Sequence, residues 1–175
     1  RTVTISGLGK TFSLTGWRVG WSVAQAGISR LIRKVHDYLT VCAPAPFQAA
    51  GVTALNLPAS YYDELRQKYA ACRAVFTEPL RRAGFQFMEP SGAYYIMANY
   101  SSIDWDKPGG NESGIKTSSR LFAEFMATKI GVAVVPGSSF YYENKGEIST
   151  VRFNFAKKPE TLEEAVKRIS KIRRL

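Results

Sequence analysis

The stretch Lys10–Trp21, KTFSLTGWRVGW, sets one lysine eight residues ahead of one arginine in a turn-rich segment. Upstream, RTVTISGL (Arg1–Leu8) alternates β-branched with polar residues and runs into Gly7, Leu8 and Gly9, the pattern of a strand entering a loop. Lys10 therefore falls at a strand end, where open α/β sheets gather their ligands. A lysine with a dry, cationic neighbourhood loses its proton more easily, and the neutral amine is the form that attacks a carbonyl. Arg18 supplies such a charge, and its planar fork fits a phosphate through two parallel hydrogen bonds. An amine for an aldehyde beside a guanidinium for a phosphate suggests pyridoxal phosphate. The competing reading is a solvated loop lysine and a surface strand arginine, and the spacing alone does not decide between them.

The chain has 175 residues, 45% hydrophobic and 13% aromatic, enough for one substantial core or two small ones. No stretch approaches the roughly 20 consecutive apolar residues of a membrane helix, and the start lacks the apolar middle and cleavage site of a signal peptide. The absence of an initiating Met leads to the expectation of a piece of a longer polypeptide. Cys42 and Cys72 are too far apart for a CxxC pair, and His36 is the one histidine. A zinc site or disulfide framework is not expected, and reduced thiols fit a cytoplasmic setting, with an organellar matrix as an alternative. His36 lies in a helical run, Gly27–Tyr38, and is expected to be structural.

A net charge of +10 raises a nucleic-acid partner as a rival reading. Residues 1–83 hold 11 Lys/Arg against 4 Asp/Glu, and residues 84–175 hold 13 against 10. The excess includes Arg30, Arg33, Lys34, Arg81 and Arg82, spaced as solvated helix faces without the interleaved aromatics of a base-stacking platform.

Periodicity orders the chain. A strand Trp17–Ala24 precedes a helix Ile28–Thr40 with Ile28, Leu31, Ile32 and Val35 on one face. A break follows at Ala43–Pro46, where two prolines oppose helix and admit a cis bond, then a short helix Phe47–Leu57. Ser60 is the expected N-cap of a long helix Tyr61–Ala83, about 34 Å at 1.5 Å per residue, kinked at Pro79 and ended by Gly84. The pattern then becomes α+β: strands Phe85–Met88 and Ala93–Ala98 around the turn EPSG, a surface loop Ser101–Thr117, helix Ser118–Lys129, strands Val132–Val135 and Thr150–Phe155, and helix Thr161–Leu175. Tyr94, Tyr95, Tyr141 and Tyr142 could line a pocket, although packing is the commoner role for each.

KTFSLTGWRVGW resembles the signature of the fold-type I, class I/II aminotransferases, in the branch that includes kynurenine and aromatic aminotransferases. The match continues through VHDYLTVCAPAPFQAA, EPSGAYYIM, GVAVVPGSSF and VRFNFA, in the family's order. The resemblance implies that Lys10 forms the Schiff base with pyridoxal 5'-phosphate and later moves a proton, that Arg18 pairs with the phosphate, and that Arg152 grips the substrate's α-carboxylate. Where such proteins commonly carry Ser three residues before the lysine, this chain has Gly7, whose backbone N–H can still face the phosphate.

The implied fold is α/β, the C-terminal part of a fold-type I enzyme. Residues 1–57 would form the tail of the large cofactor domain, residues 58–83 a bridging helix and residues 84–175 a small α+β domain. Groups that hold the cofactor ring precede the lysine in such proteins, so the chain alone is expected to be inactive. The parent is expected to be a homodimer acting on amino acids and 2-oxo acids, without nucleic acid or membrane. In dicarboxylate-specific relatives a second arginine lies near the APAP region. VCAPAPF (Val41–Phe47) has none, which favours neutral, aromatic or sulfur-containing amino acids. A β-lyase on the same scaffold is the alternative, and a basic nucleic-acid-binding module the third.

Overall fold

The structure, a computed structural model, describes residues 2–105, 118–142 and 148–172. The chain divides into two compact units, Arg1–Tyr62 and Asp63–Leu175.

In the first unit, strands β1 (Thr4–Gly7) and β2 (Gly20–Val23) pair antiparallel with Gly7 opposite Gly20. A Cβ on Gly20 would stand 2.7 Å from the Ser6 carbonyl oxygen, and one on Gly7 3.0 Å from that of Val19, so the two strands close on glycine. Helix α1 (Ala26–Thr40) ends at Val41, whose N–H bonds to the Asp37 carbonyl and whose φ of 67° is unusual for a β-branched residue. Leu31 and Val35 of the expected apolar stripe stand 66% and 59% exposed, with Ile28 and Ile32 half-buried.

Helix α2 (Ala45–Leu55) begins inside the APAP break, earlier than its prolines suggested. Pro46 occupies the first turn, where a missing N–H leaves no intrahelical bond unmade, and the described peptide bonds are all trans. The side chain of Leu8, 1% exposed, packs onto α2 where a Cβ on Gly51 would meet Leu8 Cδ1 at 3.1 Å. Helix α3 (Ala59–Arg82) starts one residue before Ser60, which therefore lies within the first turn and is not the N-cap. The Pro58 carbonyl accepts from Tyr61 N–H there at 3.0 Å.

The second unit takes α3 from Asp63 onward. The helix runs through Pro79 and closes with a Schellman motif: Gly84 N–H bonds to Arg81 O and Phe85 N–H to Leu80 O, with Gly84 at φ 101°. The expected strand Phe85–Met88 is reduced to one bridge, Gln86 with Asn99. Beyond it the chain is drawn back to α3, where Arg81 Nη2 lies 2.8 Å from Glu89 Oε2 and Arg73 Nη1 donates to the Pro90 carbonyl at 2.5 Å.

Strands β3 (Tyr95–Asn99), β4 (Val135–Pro136) and β5 (Thr150–Asn154) form an antiparallel sheet with β5 in the centre. The expected strand Val132–Val135 shortens to β4. Helix α4 (Ser118–Phe125) widens into a π turn (Met126–Ile130), closed by Gly131 at φ 77°, and Val132 N–H still bonds back to Met126. Helix α5 (Pro159–Ile169) opens with a proline in its first turn, two residues ahead of the expected start. The helix expected to reach Leu175 ends at Ile169, and residues 106–117 of the expected loop and 173–175 lie outside the described residues.

Alternation along β5 and into the residue after it buries Val151, Phe153 and Phe155 in one core with Ile96 and Ala98 of β3, Phe76 and Leu80 of α3, Phe122 of α4, and Leu162 and Ile169 of α5. Phe122 is fully buried and stacks on Tyr100 at 3.8 Å; its truncation to Ala costs about 3–5 kcal/mol. The same alternation puts Arg152 on the opposite face of β5.

Among the described residues no helix is long and apolar enough to cross a membrane, and no three His, Cys, Asp or Glu side chains gather as metal ligands. Both cysteines are free, Cys72 buried and Cys42 exposed.

Candidate active site

Lys10 sits in the loop joining β1 to β2, and hydrogen bonds internal to the loop fix its course. Phe12 N–H bonds to Leu8 O at 3.3 Å, Ser13 N–H to Lys10 O at 3.2 Å and Trp17 N–H to Leu14 O at 3.0 Å. Thr15 Oγ1 donates to Gly9 O at 2.6 Å, closing the loop across Lys10. Two non-glycine residues in this loop, Ser13 at φ 57° and Arg18 at φ 54°, adopt the left-handed region, a cost that surrounding contacts must offset. Those contacts come from both neighbouring helices. Trp17 stacks on Phe47 of α2 at 4.5 Å, Phe12 stacks on Tyr61 of α3 at 5.7 Å, and Tyr61 Oη donates to Thr11 O at 2.7 Å.

Arg18 Nη1 donates to Thr15 O at 2.8 Å, so the guanidinium folds back over the loop that carries Lys10. Both side chains are exposed. Among the described residues that bond is Arg18's hydrogen bond, and the rest of its planar fork can take a phosphate. A primary amine and a guanidinium on one ordered loop form a donor set that fits pyridoxal phosphate. Gly7, the third residue expected to face the cofactor, is set by its close approach to Val19 and Gly20.

An open groove of about 450 Å³ runs along the first unit, lined by Arg18, Gly20, Trp21, His36, Cys42 and Gln48 among others. His36 is exposed on it, where the sequence pointed to a structural histidine. Lys10 and Gly7 are not among its lining residues.

Arg152 belongs to the second unit. Its guanidinium carbon lies 4.1 Å from the ring centroid of Tyr95 and 4.7 Å from that of Phe140. Arg152 Nε is buried and has no hydrogen-bond partner among the described residues. An orphaned buried donor is costly, and a carboxylate is the type of acceptor that fits a guanidinium fork.

Ala93, at φ 56°, turns the chain so that consecutive Tyr94 and Tyr95 place their ring centroids 4.7 Å apart. Tyr94 also packs on Tyr69 of α3 at 5.5 Å. Burial pushes the Tyr94 phenol above its ordinary value of 10.0, the neighbouring Tyr95 pushes it the same way, and the Arg152 charge pulls it down. Tyr141 and Tyr142, by contrast, are 57% and 102% exposed. The left-handed residues and the Phe140 contact had no signal in composition or periodicity. The aromatic spacing pointed to Tyr95 without its partner.

The family profile described as aminotransferase class I and II matches residues 1–169. The chain is 34% identical over 183 aligned residues to the kynurenine–oxoglutarate transaminase of Dictyostelium discoideum, covering 99% of this chain and 42% of that protein. The structure of N-succinyldiaminopimelate aminotransferase from Mycobacterium tuberculosis superimposes with a TM-score of 0.85 at 31% identity, over 98% of this chain and 42% of that one. A methionine aminotransferase from Escherichia coli does so with a TM-score of 0.83 at 32% identity, over 98% and 42%. The chain thus spans about two fifths of the length of the relatives it matches, and they are enzymes of a family that depends on pyridoxal phosphate. A profile that covers nearly every residue, and that takes in the Lys10 loop and the Arg152 strand alike, places this chain in the class I and II aminotransferase family.

Proposed function

We propose that the whole protein carrying this chain transfers an amino group from an amino acid to a 2-oxo acid, with Lys10, Arg18 and Arg152 as three cations of its site. The observation that carries the proposal is the Lys10 loop, where an amine and a phosphate-type guanidinium are ordered together by the Thr15 contacts. Lys10 Nζ would hold the cofactor, and its amine would move the proton at the substrate's Cα. Arg18 takes the phosphate, with Gly7 N–H as a further donor. Arg152 grips the α-carboxylate in its fork, which fixes the direction of the Cα–H bond and contributes by orientation alone. Bound pyridoxal phosphate supplies the electron sink that makes this proton acidic.

The amino donor we favour is neutral, aromatic or sulfur-containing. The named relatives act on chemically different donors, so the family does not fix the choice. The support lies in the Tyr69, Tyr94 and Tyr95 cluster beside Arg152, and in the lack of an arginine in Val41–Phe47. A second copy of the whole protein is the partner we propose. The support is that Ile5, Leu31, Tyr38 and Leu39 stand 66–93% exposed, apolar surface of the kind that marks protein contacts. The domain division we propose is a large-domain tail (1–57), a bridging helix (58–83) and a small domain (84–175), in the cytoplasm given two free thiols. With relatives more than twice its length, the 175-residue chain alone is proposed to be inactive.

Measuring keto-acid-dependent amino transfer against release of pyruvate and ammonia from a cysteine conjugate separates transamination from β-elimination. Amino transfer in excess supports the proposal, and elimination without amino transfer replaces it.

A further inference from the structure

Resting on Arg152 as the carboxylate grip, we propose that Tyr95 and Phe140 are positioning residues for it: they orient the guanidinium through their π faces without neutralising its charge. A carboxylate partner from the protein would hold an arginine equally well, but it would occupy the N–H donors that a substrate needs. An aromatic face attracts the cation electrostatically and leaves the in-plane donors unused. Among the described residues Arg152 has two ring contacts, no ion pair, and a buried Nε without an acceptor. That combination describes a cation held against ring faces with no protein anion paired to it.

The fold delivers each ring by a separate route. Arg152 pairs with Met97 across the sheet, and Tyr95 pairs with Asn154, so Tyr95 and Arg152 are diagonal neighbours on the face away from the core. Tyr95 is backed by Tyr94, and Tyr94 by Tyr69 of α3. On the other side Val135 of β4 pairs with Arg152, and the single helical turn Gly137–Phe140 then brings Phe140 alongside. That turn lies so close to β5 that a Cβ on Gly137 would meet Thr150 Oγ1 and, at 2.5 Å, the Thr150 carbonyl oxygen. Rings that touch the same planar ion restrict its tilt, and tilt decides whether two N–H groups meet two carboxylate oxygens.

The test is steady-state kinetics on the whole enzyme with Tyr95→Leu, Phe140→Leu, Tyr95→Phe, Phe140→Tyr and Arg152→Gln, each assayed with an amino acid and with its amide. Phe140 is 46% exposed, so its replacement leaves the core closed. The leucine variants are expected to raise KM for the amino acid about threefold to thirtyfold, the range of a cation–π contact. The ring-retaining variants restore KM, and the penalty disappears with the amide, which presents no carboxylate. If Arg152→Gln raises KM for the acid and the leucine variants do not, the positioning role is wrong while the grip stands. Equal penalties for acid and amide overturn it as well, since they report a structural defect. If Arg152→Gln itself leaves KM for the acid unchanged, the grip is wrong and the positioning role falls with it.

Discussion

Thr15 Oγ1 donates to the Gly9 carbonyl at 2.6 Å, and this bond ties together the two ends of the segment that carries Lys10. The same residue's carbonyl accepts from Arg18, so one threonine connects the lysine's loop to the arginine proposed to take the phosphate. Thr15→Val keeps the side-chain shape and removes the donor. It is expected to weaken cofactor binding by about fivefold, the worth of one hydrogen bond near 1 kcal/mol, as read from an absorbance titration of the whole enzyme with pyridoxal phosphate. Unchanged affinity would show that the loop is held by its backbone bonds and aromatic stacks alone.

The glycine pair in the first unit gives a ranked prediction. Gly20→Ala puts a Cβ 2.7 Å from backbone oxygen and Gly7→Ala puts one at 3.0 Å, so Gly20→Ala is expected to destabilise more, by about 1–3 kcal/mol. Denaturant unfolding of the two variants tests the order. A Gly7→Ala protein that is the less stable of the two contradicts this reading of β1 and β2.

Gly84 closes α3 at φ 101°, where a Cβ would also meet Ile103 Cγ1 at 3.2 Å. Gly84→Ala is expected to cost about 1–2 kcal/mol, the left-handed penalty for an L-residue. Gly92, with nothing within 4 Å of an added Cβ, serves as the tolerant control. Equal stability of the two alanine variants in denaturant would rule out the Schellman assignment.

The Tyr94 phenol titrates above 10.0 because burial and Tyr95 favour its neutral form. A raised folded-state pKa means stability that is fully present below pH 10.0 and lost as the pH climbs from there through the folded value. Ultraviolet titration is expected to show one tyrosine ionising late. Tyr95→Phe is expected to bring it down, and Arg152→Gln, by removing a cation, to move it further up. A shift in the opposite direction for either variant would contradict the arrangement of the cluster.

Local chemistry made much of this fold readable. Gly84 announced the end of α3, the alternation Val151, Phe153, Phe155 announced β5, and the glycines after β1 announced the loop of Lys10. Contacts remote in sequence were the part that could not be read. Phe85–Met88 has strand composition, but the ties from Arg73 and Arg81 to Glu89 and Pro90 turn the chain toward α3 after a single bridge. The apolar stripe of α1 is correct as periodicity, yet Leu31 and Val35 stand exposed in this chain. Chemistry and spacing singled out Lys10 and Arg18 without deciding their roles, and the family resemblance supplied those roles and added Arg152. The Thr15 closure and the Phe140 face on Arg152 depend on how the backbone folds back, and residue type alone does not encode that.

The central claim is that Lys10 is the residue that bonds the cofactor. Incubating the whole protein with pyridoxal phosphate, reducing with borohydride and mapping peptides by mass measures it directly. The expected result is the reduced cofactor's mass on Lys10, abolished in Lys10→Ala without loss of fold by circular dichroism. Modification of another lysine in its place, or none in the folded protein, would contradict it.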